Sequence, residues 1–422
     1  MNDAKKFGSL ANVTAEFKAA ADFLSLTKDQ RVSIEEPRYS VRLKLPIRMD
    51  NGSIKVFMAY HTVHSIILGP SIGGVQFRPD VNWDTIEALA FWSTHRSALL
   101  NIPFGGSCGA IECDPAMYSV GELERLSRRY VTELYQLINP NNDILTSDIG
   151  TNQQIMCWAM DSYSAYKKNY TPAMALGKPV DLGGTKYSTY PTTIGVELCI
   201  KKACEQKGIN INGAKVAIQG FGKVGLSLAQ ALHKDGAKII AIADVSGAYY
   251  RKDGIDVEKA VWHQQSNGML DGLEVEMDIE KMKDPMEIFA LPVDVLVPAA
   301  VELQITEANM FDVKAKVIAE VAQDPVSPIA DKYLHEKGRL IIPDILCNSG
   351  GTIGHYLEWV QNRSGYYWPE DRVHAEIQNV IGKAFDRTIE QTKKHSISMR
   401  LAAAILAVER VAKTAALRGA YA

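Results

Sequence analysis

Polar and apolar residues alternate along Ser40-Val41-Arg42-Leu43-Lys44-Leu45-Pro46-Ile47, the two-residue period of a half-buried strand. Ile54-Lys55-Val56-Phe57-Met58-Ala59-Tyr60 reads as its partner and Asp50-Asn51-Gly52 as the turn, so the pattern predicts a hairpin. Gly69-Pro70-Ser71-Ile72-Gly73-Gly74 predicts a second glycine turn leading into Val75-Gln76-Phe77. Helical spacing fits Asp84 to Leu100. A capping box, Ser119-Val120-Gly121-Glu122, opens another helix on which Leu123, Leu126, Tyr130, Leu134 and Leu137 keep the period.

Past Gly183-Gly184 the texture changes. A strand from Lys215 runs into Gly220-Phe221-Gly222-Lys223-Val224-Gly225, an apolar helix follows to Gly236, and Lys238 to Ala243 reads as a second strand closing on Asp244. The three glycines permit a tight turn, close approach of a pyrophosphate to a helix N-terminus, and close packing of helix on strand. Asp244, about twenty residues further on, suits the hydroxyls of a ribose and repels a 2′-phosphate, which favours NAD over NADP; Arg251 and Lys252 downstream keep NADP open. Val293 to Val297, Val317 to Glu320 and Leu340 to Ile342 extend a doubly wound sheet to about residue 345. The chain then reads as mostly helical from about Glu370 to Arg418, with Ala402, Ala403, Ile405, Leu406 and Val408 forming a stripe expected to pack on the first domain.

Composition narrows the function. The chain has 422 residues, 46% of them hydrophobic and 23% charged, with a net charge of -3, which is ordinary for a globular protein of two or three domains. There is no basic run for nucleic acid or an anionic membrane surface, no stretch apolar enough to span a membrane, and no secretory leader pattern. A cytoplasmic protein is expected. The six cysteines, Cys108, Cys113, Cys157, Cys199, Cys204 and Cys347, form neither a Cys-x-x-Cys pair nor a zinc-type cluster, so free thiols and no metal are expected.

Ile102-Pro103-Phe104-Gly105-Gly106-Ser107-Cys108-Gly109-Ala110 carries the candidate chemistry. It reads as a glycine loop between two helices, presenting one thiol to something that approaches closely. A plain turn around a small buried cysteine is the structural alternative.

These segments resemble the glutamate/leucine/phenylalanine/valine dehydrogenase superfamily from about residue 35 to the C-terminus. The similarity is carried by Gly69 to Val75, Pro103 to Ala110, Thr146-Ser147-Asp148-Ile149-Gly150-Thr151-Asn152, Gly220 to Gly225, Pro343 to Gly351, and Tyr356-Leu357-Glu358-Trp359-Val360-Gln361. The resemblance implies an α/β fold with a doubly wound Rossmann-type NAD domain, residues 191–345, inserted in an α/β substrate domain. That substrate domain would be residues 1–190 completed by about 346–422, with a catalytic cleft between the two and commonly a homohexamer. It also implies reversible oxidative deamination of an L-amino acid with NAD(P).

Carried over position by position, Asp148 falls on the catalytic aspartate, Arg96 on the lysine that binds the substrate α-carboxylate, and Asn348 beside substrate and nicotinamide. Thr189 and Thr192 fall near the nicotinamide, with Ala299 and Gln323 in the same cofactor site. Three departures stand out. Cys108 replaces the catalytic lysine, and a thiol cannot supply an ammonium's charge. Ile72 replaces the lysine, and His355 the serine, that hold the distal carboxylate of glutamate, so a more apolar substrate is expected. Glu320-Val321-Ala322-Gln323-Asp324-Pro325 replaces Glu-Gly-Ala-Asn-Gly-Pro.

Three functions compete on these residues: an NAD-dependent oxidoreductase acting on an amine, imine or ketone other than glutamate; a catalytically reduced regulatory or structural relative; and a protein in which Cys108 itself is nucleophile or redox sensor. His355 is a candidate general acid or hydrogen-bond donor. Lys186 is a candidate replacement for the missing cation.

Overall fold

The computed structural model describes residues 10–419. They form two compact units. The first holds the described residues through Tyr187, Thr352–Val373 and those from Ala404 on; the second holds Ser188–Gly351 and His374–Ala403.

In the first unit a mixed six-stranded sheet runs in the order β1-β2-β4-β3-β5-β6. Its strands are β1 Tyr39–Arg48, β2 Ile54–Ser65, β3 Ser71–Phe77, β4 Gly105–Ile111, β5 Asp143–Ser147 and β6 Ala175–Leu176. The predicted hairpin forms, pairing Tyr39 with Val63 at one end and Arg48 with Ile54 at the other, around a Gly52 with φ of 85°. Gly73-Gly74 is not a turn, and the Gly105 stretch is not a loop. Both lie inside neighbouring parallel strands in the middle of the sheet, where β4 is buried along its whole length.

The reason is close approach rather than turning. A Cβ on Gly73 would overlap the Ser107 carbonyl, and one on Gly106 would overlap the backbone of the helix Trp83–Leu99 at Ala90 and Thr94. This helix covers one face of the sheet, where Ile86 and Ala90 pack with Cys108 and Ala110. The helices Val120–Leu134 and Gln153–Lys167 cover the other with Leu126, Tyr130, Ile155 and Met160. The capping box at Ser119 and Glu122 forms as expected.

A buried polar network ties these central strands together. The Asp143 carboxylate meets His61 Nε2 at 2.5 Å and accepts from Ser71 Oγ at 2.8 Å and Ser107 Oγ at 2.7 Å. The other ring nitrogen of His61 pairs with the Tyr130 hydroxyl at 2.9 Å, so each polar side chain has a partner away from water.

The second unit is built on a seven-stranded sheet in the order β10-β9-β8-β7-β11-β12-β13. These are β7 Lys215–Gln219, β8 Lys238–Asp244, β9 Gly247–Tyr250, β10 Glu280–Lys281, β11 Val295–Pro298, β12 Val317–Ala319 and β13 Leu340–Ile342. The strands expected from apolar runs are parallel, with β13 at one edge of the sheet, and β9 and β10 add an antiparallel pair at the other.

The two C-terminal helices, Glu370–His395 and Met399–Arg418, do not pack on the first unit alone as the apolar stripe suggested. Ala402 and Ala403 belong to the second unit, where the buried Arg400 guanidinium bonds Glu320 and reaches Asp331 at 3.3 Å. Ile405, Leu406 and Val408 belong to the first, where Arg410 donates to the Ser97 and Ala98 carbonyls at 3.0 and 3.1 Å.

Candidate active site

Strand β7 ends at Gln219 and the helix Lys223–Lys234 begins behind Gly222, so Gly220 to Gly225 form the turn between them. Gly220 has φ of 102°, and a Cβ there would press on Ala299, whose N–H donates to Gln219 O at 2.6 Å. A Cβ on Gly225 would overlap the Gly220 carbonyl. At Gly222 a Cβ would meet only open space, and no side chain caps the helix here. The result is an exposed helix N-terminus with unfilled room above it, the cradle a pyrophosphate needs. Phe221 is buried beneath the turn and Lys223 is exposed on it, with Val224 half-buried.

Asp244 closes β8 with its carboxylate fixed. Oδ1 accepts from Ser246 N at 2.8 Å and Ser246 Oγ at 2.5 Å, and Oδ2 accepts from Leu270 N at 2.7 Å. Leu270 is a partner that sequence spacing gave no sign of. Asn348 donates through Nδ2 to Val321 O at 3.2 Å, while its Oδ1 is buried with no hydrogen-bond partner. Such an orphaned acceptor suits a carboxamide N–H donor like that of nicotinamide. Thr189, Thr192, Ala299 and Gln323 are all half-buried residues of the same unit, and Thr192 Oγ1 lies beside Gly351. These residues fit a dinucleotide.

In the first unit, Cys108 and Asp148 flank Gly74. The Cys108 thiol donates to the Gly74 carbonyl at 3.5 Å, and the Asp148 carboxylate occupies the space that a Cβ on Gly74 would need. Asp148 Oδ1 accepts from Ile149 N at 2.8 Å and Oδ2 from Gln76 Nε2 at 3.1 Å, so the carboxylate is held in one orientation. Cys108 is 2% exposed, not presented by an accessible loop. Burial pushes its thiol well above the usual cysteine range and the charge of Asp148 pushes it further, so the sulfur is neutral. Among the described residues, no cation acts on it.

Ile72 is buried on β3 and presents no charge where the resemblance implies a lysine. His355 is half-buried on the helix Gly350–Ser364, and burial lowers its pKa, favouring neutral imidazole. His355 Nε2 and Ser147 Oγ converge on Gly177, at 3.3 and 2.8 Å from where its Cβ would stand. Asp148, in turn, lies close enough for its charge to act on His355. Ser147, Asp148, Gly177 and His355 therefore belong to one region of the unit. Arg96 lies half-buried in the last turn of Trp83–Leu99. Lys186 is exposed and bonds neither Cys108 nor Asp148.

The sequence reading missed the support beneath this region. Lys178 is buried and its Nζ meets Glu358 Oε1 at 2.6 Å, while Glu358 Oε2 accepts from Gly177 N at 2.9 Å. Glu358 sits in the Tyr356 to Gln361 segment, one turn from His355, and this was the available signal. Burial lowers the Lys178 pKa while Glu358 opposes the shift.

Residues 183–419 match the family model for glutamate/leucine/phenylalanine/valine dehydrogenase, and residues 37–165 match that for the Glu/Leu/Phe/Val dehydrogenase dimerisation domain. The chain is 42% identical over 386 residues to an NAD-specific glutamate dehydrogenase of Staphylococcus aureus strain COL, covering 92% of both chains. It is 39% identical over 402 residues to the catabolic NAD-specific glutamate dehydrogenase of Bacillus subtilis strain 168, covering 95% of this chain and 94% of the relative. Among solved structures, a hetero-hexameric glutamate dehydrogenase from Thermus thermophilus, in a leucine-bound form, superposes with a TM-score of 0.92 at 33% identity and full coverage of both chains.

Proposed function

The chain belongs to the glutamate/leucine/phenylalanine/valine dehydrogenase family, and from that premise we propose that it uses NAD, takes an amino or 2-oxo acid with an apolar side chain, and turns it over slowly. The observation that carries this reading is the buried, neutral Cys108 thiol bonded to Gly74 O.

NAD, when bound, supplies the hydride acceptor. Gly220 to Gly225 would hold its pyrophosphate, Asp244 its ribose and Asn348 its carboxamide. Asp148, fixed by Ile149 N and Gln76 Nε2, is placed to take and return the protons that amine and water exchange. Arg96 would grip the α-carboxylate, and Ile72 would favour an alkyl group over a distal carboxylate. No charge at Cys108 stabilises oxyanion development at the reacting carbon. That omission costs on the order of 3 kcal/mol, roughly a hundredfold to a thousandfold in rate.

A slow subunit that still binds both ligands suits a regulatory place in an assembly with a catalytic relative. The hetero-hexameric state named for the Thermus thermophilus neighbour supports this extension. The retained, oriented Asp148 favours a second reading, reduction of a preformed imine or a ketone without ammonia.

Purified protein is to be assayed for NADH oxidation across 2-oxo acids, ketones and cyclic imines, with and without ammonium, beside its Cys108→Lys variant. Weak ammonium-dependent turnover of branched or apolar 2-oxo acids, raised at least tenfold in the variant, is expected. Rapid wild-type turnover that the variant loses would overturn the slow-subunit reading, and ammonium-independent turnover would establish the second one.

A further inference from the structure

The second unit has a cavity of about 200 Å³ far along the chain from the glycine turn. It opens between the C-terminal ends of the helices Pro191–Gln206, Pro328–Glu336 and Glu370–His395 and the start of β13. We propose that this cavity binds a small phosphate-bearing anion, an inorganic phosphate or a short phosphate monoester.

Its wall carries Lys207, Arg339 and Lys393, with His335 beside them. Among the described residues, none of the three cations has a carboxylate partner: Lys207 Nζ donates to Gly338 O at 2.8 Å and Lys393 Nζ to Gln206 Oε1 at 2.5 Å. Arg339 makes no side-chain hydrogen bond, and its Nε is shielded from solvent with nothing to donate to. The Thr392 hydroxyl is likewise shielded and unpartnered. Arg339 and Thr392 both line the cavity, and a buried guanidinium N–H and a buried hydroxyl without partners are costly unless a ligand satisfies them. The protein as a whole carries a net charge of -3, so this local excess of cations is not a general surface property.

One carboxylate, Asp331, also lines the cavity; its Oδ1 accepts from the buried Arg400 at 3.3 Å, a guanidinium it shares with Glu320 and Asp344, so its charge is only partly offset there. Cations at helix C-termini ordinarily offset the partial negative charge of the last carbonyls. That accounts for Lys207 and Lys393. It does not account for the side chain of Arg339, whose backbone N–H closes the helix Pro328–Glu336 on Leu334 O at 2.9 Å while its buried Nε bonds no helix carbonyl.

Phosphate is the anion that matches this donor set. It accepts from several directions at once, and a guanidinium fork, a hydroxyl and two ammonium groups offer more donors than a single carboxylate can use. The cavity holds the space of roughly six or seven waters, enough for a phosphate and a short organic group. The buried side chain of Met399 and the largely buried Ile389 give such a group an apolar surface.

The test uses full-length protein saturated with NAD, so that the glycine turn is filled. Inorganic phosphate and glycerol phosphate are titrated by calorimetry at an ionic strength held constant with chloride. One saturable site per chain is expected, weakened at least tenfold by Lys393→Gln and by Arg339→Gln but not by Lys394→Gln, whose side chain lies outside the cavity. Tighter binding of the ester would assign an organic ligand, and equal binding would assign free phosphate. Absence of saturable binding, or equal affinity in wild type and the exposed-site variant Lys393→Gln, would overturn the proposal; circular dichroism of each variant checks its fold.

Discussion

The thiol of Cys108 donates to the carbonyl of Gly74 at 3.5 Å. This contact sets the sulfur against the strand that carries Gly74, with Asp148 at the same glycine. A neutral, shielded thiol is a poor nucleophile. Native protein treated with iodoacetamide at pH 8 should leave Cys108 unmodified while urea-unfolded protein reacts, as peptide mass mapping would show. Rapid native alkylation would restore the redox-sensor reading.

Asp244 holds two loops, at Ser246 and Leu270, besides the ribose role proposed for it. Replacing it by Asn puts an amide N–H against Leu270 N or the Ser246 donors, which now converge on an anion. Losing charge-assisted hydrogen bonds of this kind is worth roughly 1.5–3 kcal/mol, so NAD affinity should fall about tenfold to a hundredfold. Titration of NADH fluorescence would measure it, and an unchanged Kd would remove Asp244 from the site.

Glu358→Gln leaves the Lys178 ammonium buried without a carboxylate. The expected cost is about 3–5 kcal/mol of stability, partly recovered when Lys178→Met is added. Chemical denaturation of the single and double variants checks this. A single variant as stable as wild type would mean that the pair does not hold the Gly177 turn beneath His355.

His64 and His95 are buried together. His64 stacks on Phe91 at 4.1 Å and pairs with Thr94 Oγ1 at 2.8 Å, while His95 lies 4.7 Å from the same Phe91 ring. Burial lowers the pKa of His64 to about 3, helped by the neighbouring His95, and that of His95 to about 4. The unfolded chain takes up protons near pH 6.5 and the folded one does not, so stability is complete above that pH and is lost as pH falls toward 4. The slope should approach about 3 kcal/mol per pH unit while both groups contribute, since each proton is worth about 1.4. Urea midpoints measured from pH 7 to 4.5 should fall steeply, and His64→Phe should flatten the fall.

Legibility in the sequence followed the range of the interactions. The turn from Gly220 to Gly225 and Asp244 could be read because strand, turn, helix and strand are consecutive. Gly105-Gly106 could not. Two adjacent glycines look alike whether the backbone turns or another backbone lies against it, and here Ala90 and Thr94 supply the second case. The polar links between Asp143 and His61, and between Lys178 and Glu358, join residues far apart in the chain, so no local pattern announced them. The apolar stripe near Ala402 showed that the last helix is buried, but a periodic face names no partner.

The helix Met399–Arg418 begins among residues of the second unit and ends among those of the first. Its closing turns tie down the chain near its other end: Arg410 holds Ser97 and Ala98, and Arg418 donates to the Ile66 and Ile67 carbonyls, both at 2.8 Å. On a ribosome the first unit therefore emerges early yet lacks part of its own structure until the residues from Ala404 on have been made. A nascent chain stalled before Ala404 would expose that gap, so quality control by proteases should fall hardest on the portion synthesised first.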